Sequence, residues 1–472
     1  MATKINVRSP FFTQTEFNST LYQADLNLYV YDGTKETDKG TAKYTLSKTN
    51  AINYDISGFS YKGISFEISE LVRDYIDVTF DGNYNSYNKW VRAEQFFYAT
   101  DTIVTGTSQS AGAFELRDSS ANFSRTIVGK YVRKEITGEL TQITSWIDST
   151  TIYLDDDIFR GVFDYTAGII FLEEDHIAYD GYGYFEDLRN PQLSQPYLQS
   201  NKKIYRLQDH NVRVPIDTDK AVSAVFRLNG ETVKSQTFTP SDESDEQVVY
   251  FNVGFSNYDT YAQRVKITNS IVNPYTKRSG ILETSPRLEE FFGLENVGEV
   301  DEIYVSDGEK TEILKIITEP CSKYKPYKVV FVNKFGVLQD LFFSLKSTES
   351  ITTTGETYKA NTFKTTIDSS IPLVAKIGNI YDANKHQITQ YNKMGKESIT
   401  LNTGYLSEDY NDVMKELMLS EQVWLMPTDS DIVYPVIPKT SNLTYKTSIN
   451  DRLVQYTIDF EYAFDKINTV RW

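Results

Sequence analysis

Val454-Gln455-Tyr456-Thr457-Ile458-Asp459-Phe460-Glu461-Tyr462-Ala463-Phe464-Asp465 alternates apolar and mostly polar residues with a strict period of two over twelve positions. Successive side chains of a strand point to opposite faces, so this stretch predicts a long β-strand with one buried face. Upstream, residues 407–420 have a different period. Tyr410, Val413, Met414, Leu417 and Met418 fall on one helical face, and Glu408 and Asp409 stand in the first turn, where the helix dipole favours negative charge. A helix packed on a sheet follows for the end of the chain. The composition extends the β reading to the whole: 34 Tyr and 27 Phe stand against five Met and four Trp, a bias that suits pleated, half-buried strands. The expected class is mainly β, with several β-sandwich or small-barrel domains, a few short helices and one helix on the C-terminal sheet.

A length of 472 residues suggests about three domains. An N-terminal β domain is expected over residues 1–205. It contains a strand at 26–31 closed by Asp32-Gly33, a short helix at 69–76 with Ser69 as its N-cap, and a strand at 90–98. Residues 102–172 are richer in Ser, Thr and Asp, with strands near 114–116, 127–134, 142–146 and 151–154. They read as a small β module inserted in a loop of that domain. A middle domain is expected over 206–298. There Asn229-Gly230 predicts a type I′ hairpin, and Ser285-Pro286 opens a brief helix. Residues 299–472 form the C-terminal domain.

The 48 basic and 65 acidic residues leave a net charge of −17, which disfavours a surface that wraps duplex DNA; no sequence-specific nucleic-acid contact is expected. The single cysteine, Cys321, permits no intramolecular disulfide and reads as a small core hydrophobe. His176, His210 and His386 show no metal-ligand spacing, and no GxSxG elbow, Walker loop or GxGxxG is present. Asp155-Asp156-Asp157 with Asp164 lacks the glycine and glutamate of a calcium loop. Glu173, Glu174, Asp175 and Asp180 crowd one stretch, but carboxylates are abundant everywhere in this chain. The expectation is no enzyme, no metal and no cofactor. No apolar run is long enough for a membrane span, and no secretory leader is read. One aromatic cluster stands out: Tyr179, Tyr182, Tyr184 and Phe185, spaced by two glycines, suit a stacking platform for a sugar or a partner surface, against the commoner reading of aromatic core.

Several stretches carry a resemblance. Lys4-Ile5-Asn6-Val7-Arg8-Ser9-Pro10-Phe11-Phe12, residues 66–75 and residues 177–187 resemble the N-terminal part of virion structural proteins of tailed bacteriophages infecting Bacteroidetes and related marine groups. Cys321-Ser322-Lys323-Tyr324-Lys325-Pro326-Tyr327, Val332-Asn333-Lys334-Phe335-Gly336, Asn402-Thr403-Gly404-Tyr405 and residues 448–463 are similar to their last region. The inserted unit, with residues 116–123 and 154–159, looks like a small β module that recurs in phage particle proteins. The resemblance implies a tail, collar or baseplate component in the virion, made in the host bacterial cytoplasm. Its partners would be other virion proteins and copies of itself, and the family supplies no catalytic residues to carry over. Alternatives are a host-attachment protein that binds a cell-surface glycan and a two-carboxylate depolymerase; no repeat of fixed period supports the latter.

Overall fold

In a computed structural model, residues 454–465 lie within the strand Leu453–Asp465 of a seven-stranded antiparallel sheet. The structure describes residues 3–253 and 300–467, apart from 33–38, 50, 57–58, 110–111, 194, 208–209, 218–219, 239–247, 320–321, 368–376, 382–383, 431, 441 and 443–452. The expected helix at Ser285-Pro286 and Cys321 fall outside the described residues.

In spatial order the seven strands are Leu338–Phe343, Tyr327–Val332, Val423–Pro427, Tyr434–Pro438, Leu453–Asp465, Ile388–Ser407 and Thr348–Lys359. The register sets Phe460 opposite Ile399 and Ile458 opposite Leu401. On this face lies the helix Tyr410–Leu419, with Tyr410, Val413, Met414 and Leu417 buried against Phe331, Phe343, Ile458 and Phe460. The two periodicities therefore meet in one core. The alternation outlasts the burial: Phe464 is 65% exposed, because its end of the strand pairs with the outer half of its neighbour, Lys396 opposite Asp465, beyond the helix.

The N-terminal sheet has ten strands and hinges on one long strand, Asp164–Tyr179. Its C-terminal half pairs with Lys89–Ala99, while its N-terminal half pairs with Val104–Thr107 and Tyr131–Lys134. Gly168 marks the change of partners. It sits at φ +86°, and a Cβ there would lie 2.1 Å from the Thr102 carbonyl oxygen, so only glycine lets the two chains approach. Leu116, Phe123, Ile143, Ile152, Phe159 and Tyr165 form a core for residues 104–167, and Leu26, Leu28, Val91, Phe97 and Ala178 form one for the rest. Ser69, expected as an N-cap, is instead the first residue of the helix Ser69–Arg73. The capping oxygen belongs to Glu67, whose Oε1 accepts the Ser69 backbone N–H at 3.0 Å and the Ser69 hydroxyl.

A five-stranded sheet follows, ordered Lys203–Leu207, Thr311–Glu319, Glu302–Ser306, Val222–Leu228, Glu231–Phe238. Asn229 and Gly230 take φ +52° and +83° at its hairpin, the two positive angles a type I′ turn requires. The sheet runs across the boundary expected at 298/299, because Glu302–Ser306 pairs with Val222–Leu228. It also takes in the strand at 203–207, which lies parallel to Thr311–Glu319. The fold is mainly β, as composition implied. Its sheets are open: among the described residues none closes into the expected small barrel, since Tyr44–Lys48 and Glu115–Arg117 remain as unjoined ends of the largest sheet.

Candidate functional site

The aromatic cluster follows directly from the long strand. Tyr179 is its last residue and is buried among Trp90, Leu198, Phe335 and Val337. The chain then turns through Asp180, whose carboxylate accepts Arg8 Nε at 2.6 Å and Nη2 at 2.5 Å. The backbone of Tyr182 donates to the Lys334 carbonyl oxygen at 2.8 Å. Gly336, at φ +75°, faces this turn so closely that a Cβ would lie 2.7 Å from the amide nitrogens of Asp180 and Gly181. Tyr182 and Tyr184 meet edge to face at 5.9 Å, and the Lys415 ammonium stands 3.5 Å from the Tyr184 ring centre. Three of the four aromatics thus face the C-terminal domain of the same chain, and Phe185 alone, 94% exposed, points into water. The cluster is a joint between domains, closed by Lys334 and Lys415, residues that sequence spacing could not bring to it.

Glu416 lies beneath the joint, on the buried side of the helix. Its carboxylate accepts the Ser200 hydroxyl and, at 3.4 Å, the Lys334 backbone N–H. Burial nevertheless pushes its pKa up, against those hydrogen bonds and the Lys334 charge. A carboxyl whose pKa is raised on folding costs nothing below its unfolded pKa, and stability falls as pH rises through the folded value. Glu416→Gln is therefore expected to remove this fall in melting temperature with rising pH and to be more stable than the wild type at pH 8. Scanning calorimetry across a pH series up to pH 8 checks this; a lower melting temperature for the variant at pH 8 would show that the ionised carboxylate stabilises the joint.

The largest feature that sequence reading missed is an arm. Thr348–Lys359 pairs with Ile388–Ser407 from Thr348 opposite Thr400 out to Lys359 opposite Ile388, and all twelve residues of the first strand are exposed. At ~3.4 Å per residue the ribbon is ~40 Å long. Beyond it Phe363–Ile367 and Ile377–Tyr381 pair as a further two-stranded segment. Ile351, Tyr358, Ile388 and Tyr391 are exposed on the ribbon, with Tyr358 and Tyr391 edge to face at 5.7 Å. Only the root, through Ile399 and Leu401, enters the core. The missed signal was Ile351-Thr352-Thr353-Thr354, a β-branched run with no apolar alternation.

The remaining candidates are dispersed. His176 is buried edge-on to Phe11 at 5.1 Å, and burial pulls its pKa down to about 4, so it is neutral at pH 7. His210 stacks on Phe342, and His386 is exposed. The crowded acids diverge: Glu173 and Asp175 pair with Arg92, Glu174 accepts from Gln14 and Gln95, and Asp180 holds Arg8. Asp157 pairs with Arg160. Among the described residues no three His, Cys, Asp or Glu side chains gather as metal ligands, and no helix is long and apolar enough to cross a membrane. No protein-family model and no curated protein matches the chain.

Proposed function

We propose that the chain is a structural component of a tailed-phage virion, in the tail, collar or baseplate, that works through protein–protein assembly contacts with other virion proteins and with copies of itself. The observation that carries this reading is the arm. A two-stranded ribbon is at best marginally stable in water on its own, and an exposed ribbon with apolar side chains is a template for another chain. Ile351, Tyr358, Ile388 and Tyr391 supply those side chains. Phe464, on the neighbouring strand, is a further exposed apolar side chain toward the root. An assembly role asks for large buried areas and no reaction centre.

Sedimentation velocity with negative-stain imaging of the full chain tests it. The wild type is expected to form a defined oligomer, and Ile351→Lys/Tyr358→Lys/Ile388→Lys to sediment as a monomer with its core melting temperature unchanged, since no core residue is touched. A wild-type monomer that also fails to bind neighbouring particle proteins, or an oligomer indifferent to the triple change, would overturn the reading. The alternative, attachment to a cell-surface glycan, draws on an open groove of about 590 Å³ lined by Tyr205, Tyr324, Tyr405 and Glu319, a set with aromatic faces and a carboxylate.

A further inference from the structure

Where the three domains converge, a cleft of about 220 Å³ opens between Gly82 and Tyr84 of the first, His210, Asn211 and Arg213 of the second, and Lys328, Phe342, Thr428 and Ser430 of the last. A second hollow of about 210 Å³ adjoins it and shares Gly82, Tyr84 and Arg213. Arg213 stands 5.4 Å and Lys328 5.3 Å from the Tyr84 ring centre, so two cations flank one ring.

The local carboxylate is already engaged. Asp340 accepts the Tyr84 hydroxyl and, at 2.9 Å, the backbone N–H of Arg213. Lys328 donates to the Tyr84 oxygen at 3.0 Å, which leaves two ammonium protons. Burial and the Asp340 charge push the Tyr84 pKa well above its ordinary value, so the phenol remains a donor to Asp340. Among the described residues neither Arg213 nor Lys328 joins an ion pair, although most other half-buried cations of this chain do: Arg8, Lys39, Arg92 and Lys134 are all matched with carboxylates. Asp340 offsets one of the two charges, so the cleft keeps a net positive charge that no described ion pair cancels, in a chain whose net charge of −17 leaves acids in excess. An incoming anion would meet this surplus positive charge.

We propose that this cleft binds a tetrahedral oxyanion, a sulfate or phosphate group. The guanidinium fork of Arg213 and the free protons of Lys328 supply charge-assisted donors from two sides, and the Ser430 hydroxyl adds a neutral one at the rim. The volume suits a compact group rather than an extended ligand. Stacking does not set the specificity, because Phe80 and Tyr250 pack against Tyr84 and His210 lies on Phe342. Because the walls come from three domains, the bound anion also ties them together. The proposal does not depend on the arm or on the assembly reading.

Isothermal titration of the full chain with sodium sulfate, and separately with inorganic phosphate, at constant ionic strength is the test. Saturable heat with one ion per chain is expected. Arg213→Gln and Lys328→Gln are each expected to weaken binding by about tenfold to a hundredfold, the range of a charged hydrogen bond, while Lys346→Gln on the open surface leaves it unchanged. Matching circular-dichroism melts establish that the variants are folded. No saturable heat in the wild type, or titrations of both cleft variants that superimpose on it, would overturn the proposal. Competition by dextran sulfate but not by dextran would mark the anion as an ester on a polymer; binding of the free ion without such competition would mark the cleft as a site for the ion itself.

Discussion

Phe460→Asp is expected to leave the C-terminal domain unfolded. The ring is fully buried and meets Phe343 edge to face at 5.9 Å. Removing such a ring costs ~3–5 kcal/mol, and the new carboxylate is buried without a partner, which adds several more. Together these approach the ~5–15 kcal/mol that holds a typical domain. Phe464→Asp, four residues along the same face of the same strand, is expected to stay within ~0.5 kcal/mol, because its ring is already mostly in water. Soluble yield and far-UV circular dichroism of the pair separate the cases. A folded, wild-type-like Phe460→Asp protein would show that the inward face of Leu453–Asp465 had been misassigned.

Asp180→Ala should have the next largest effect, ~3–5 kcal/mol in urea denaturation. It leaves the Arg8 guanidinium, whose side chain is 9% exposed, with Glu421 at 3.7 Å as its one remaining ion-pair partner among the described residues. The loss arises from the stranded charge rather than from the value of the pair. Arg8→Met/Asp180→Leu is accordingly expected to recover most of the stability. Equal losses in the single and double variants would mean that the bidentate geometry itself holds the turn between Tyr179 and Tyr182 in place.

What sequence could convey followed from locality. The strand at 454–465 and the helix after it in space were legible because one face of each is buried, and burial on one face writes a period into the chain. Asn229-Gly230 was legible because a two-residue turn carries its own φ requirement. The arm left no such trace: with both faces of Thr348–Lys359 exposed, nothing forces alternation. The pairing across 298/299 had no local signature, because the middle sheet draws strands from both sides of residues 254–299. Glu416 was passed over because a glutamate in a helix reads as its wet face, and only Ser200 and Lys334 explain its burial. The tyrosine cluster was visible as a cluster, but which way its rings turn depended on Lys334 and Lys415. The convergence of Arg213 and Lys328 had no sequence signature, since the two sit on different sheets and neither belongs to a charge run.

The parallel pairing of Lys203–Leu207 with Thr311–Glu319 sets a schedule for synthesis. A strand that waits for a partner about a hundred residues downstream leaves the ribosome with an open edge, and at ~5–20 residues per second that edge stays open for ~5–20 seconds. During this interval its neighbours in the sheet arrive piecemeal, and other nascent chains compete for the same backbone groups. The yield of folded protein is therefore set by a race between elongation and aggregation, in which slow translation lengthens the exposure of the edge and chaperones that shield nascent chains protect it.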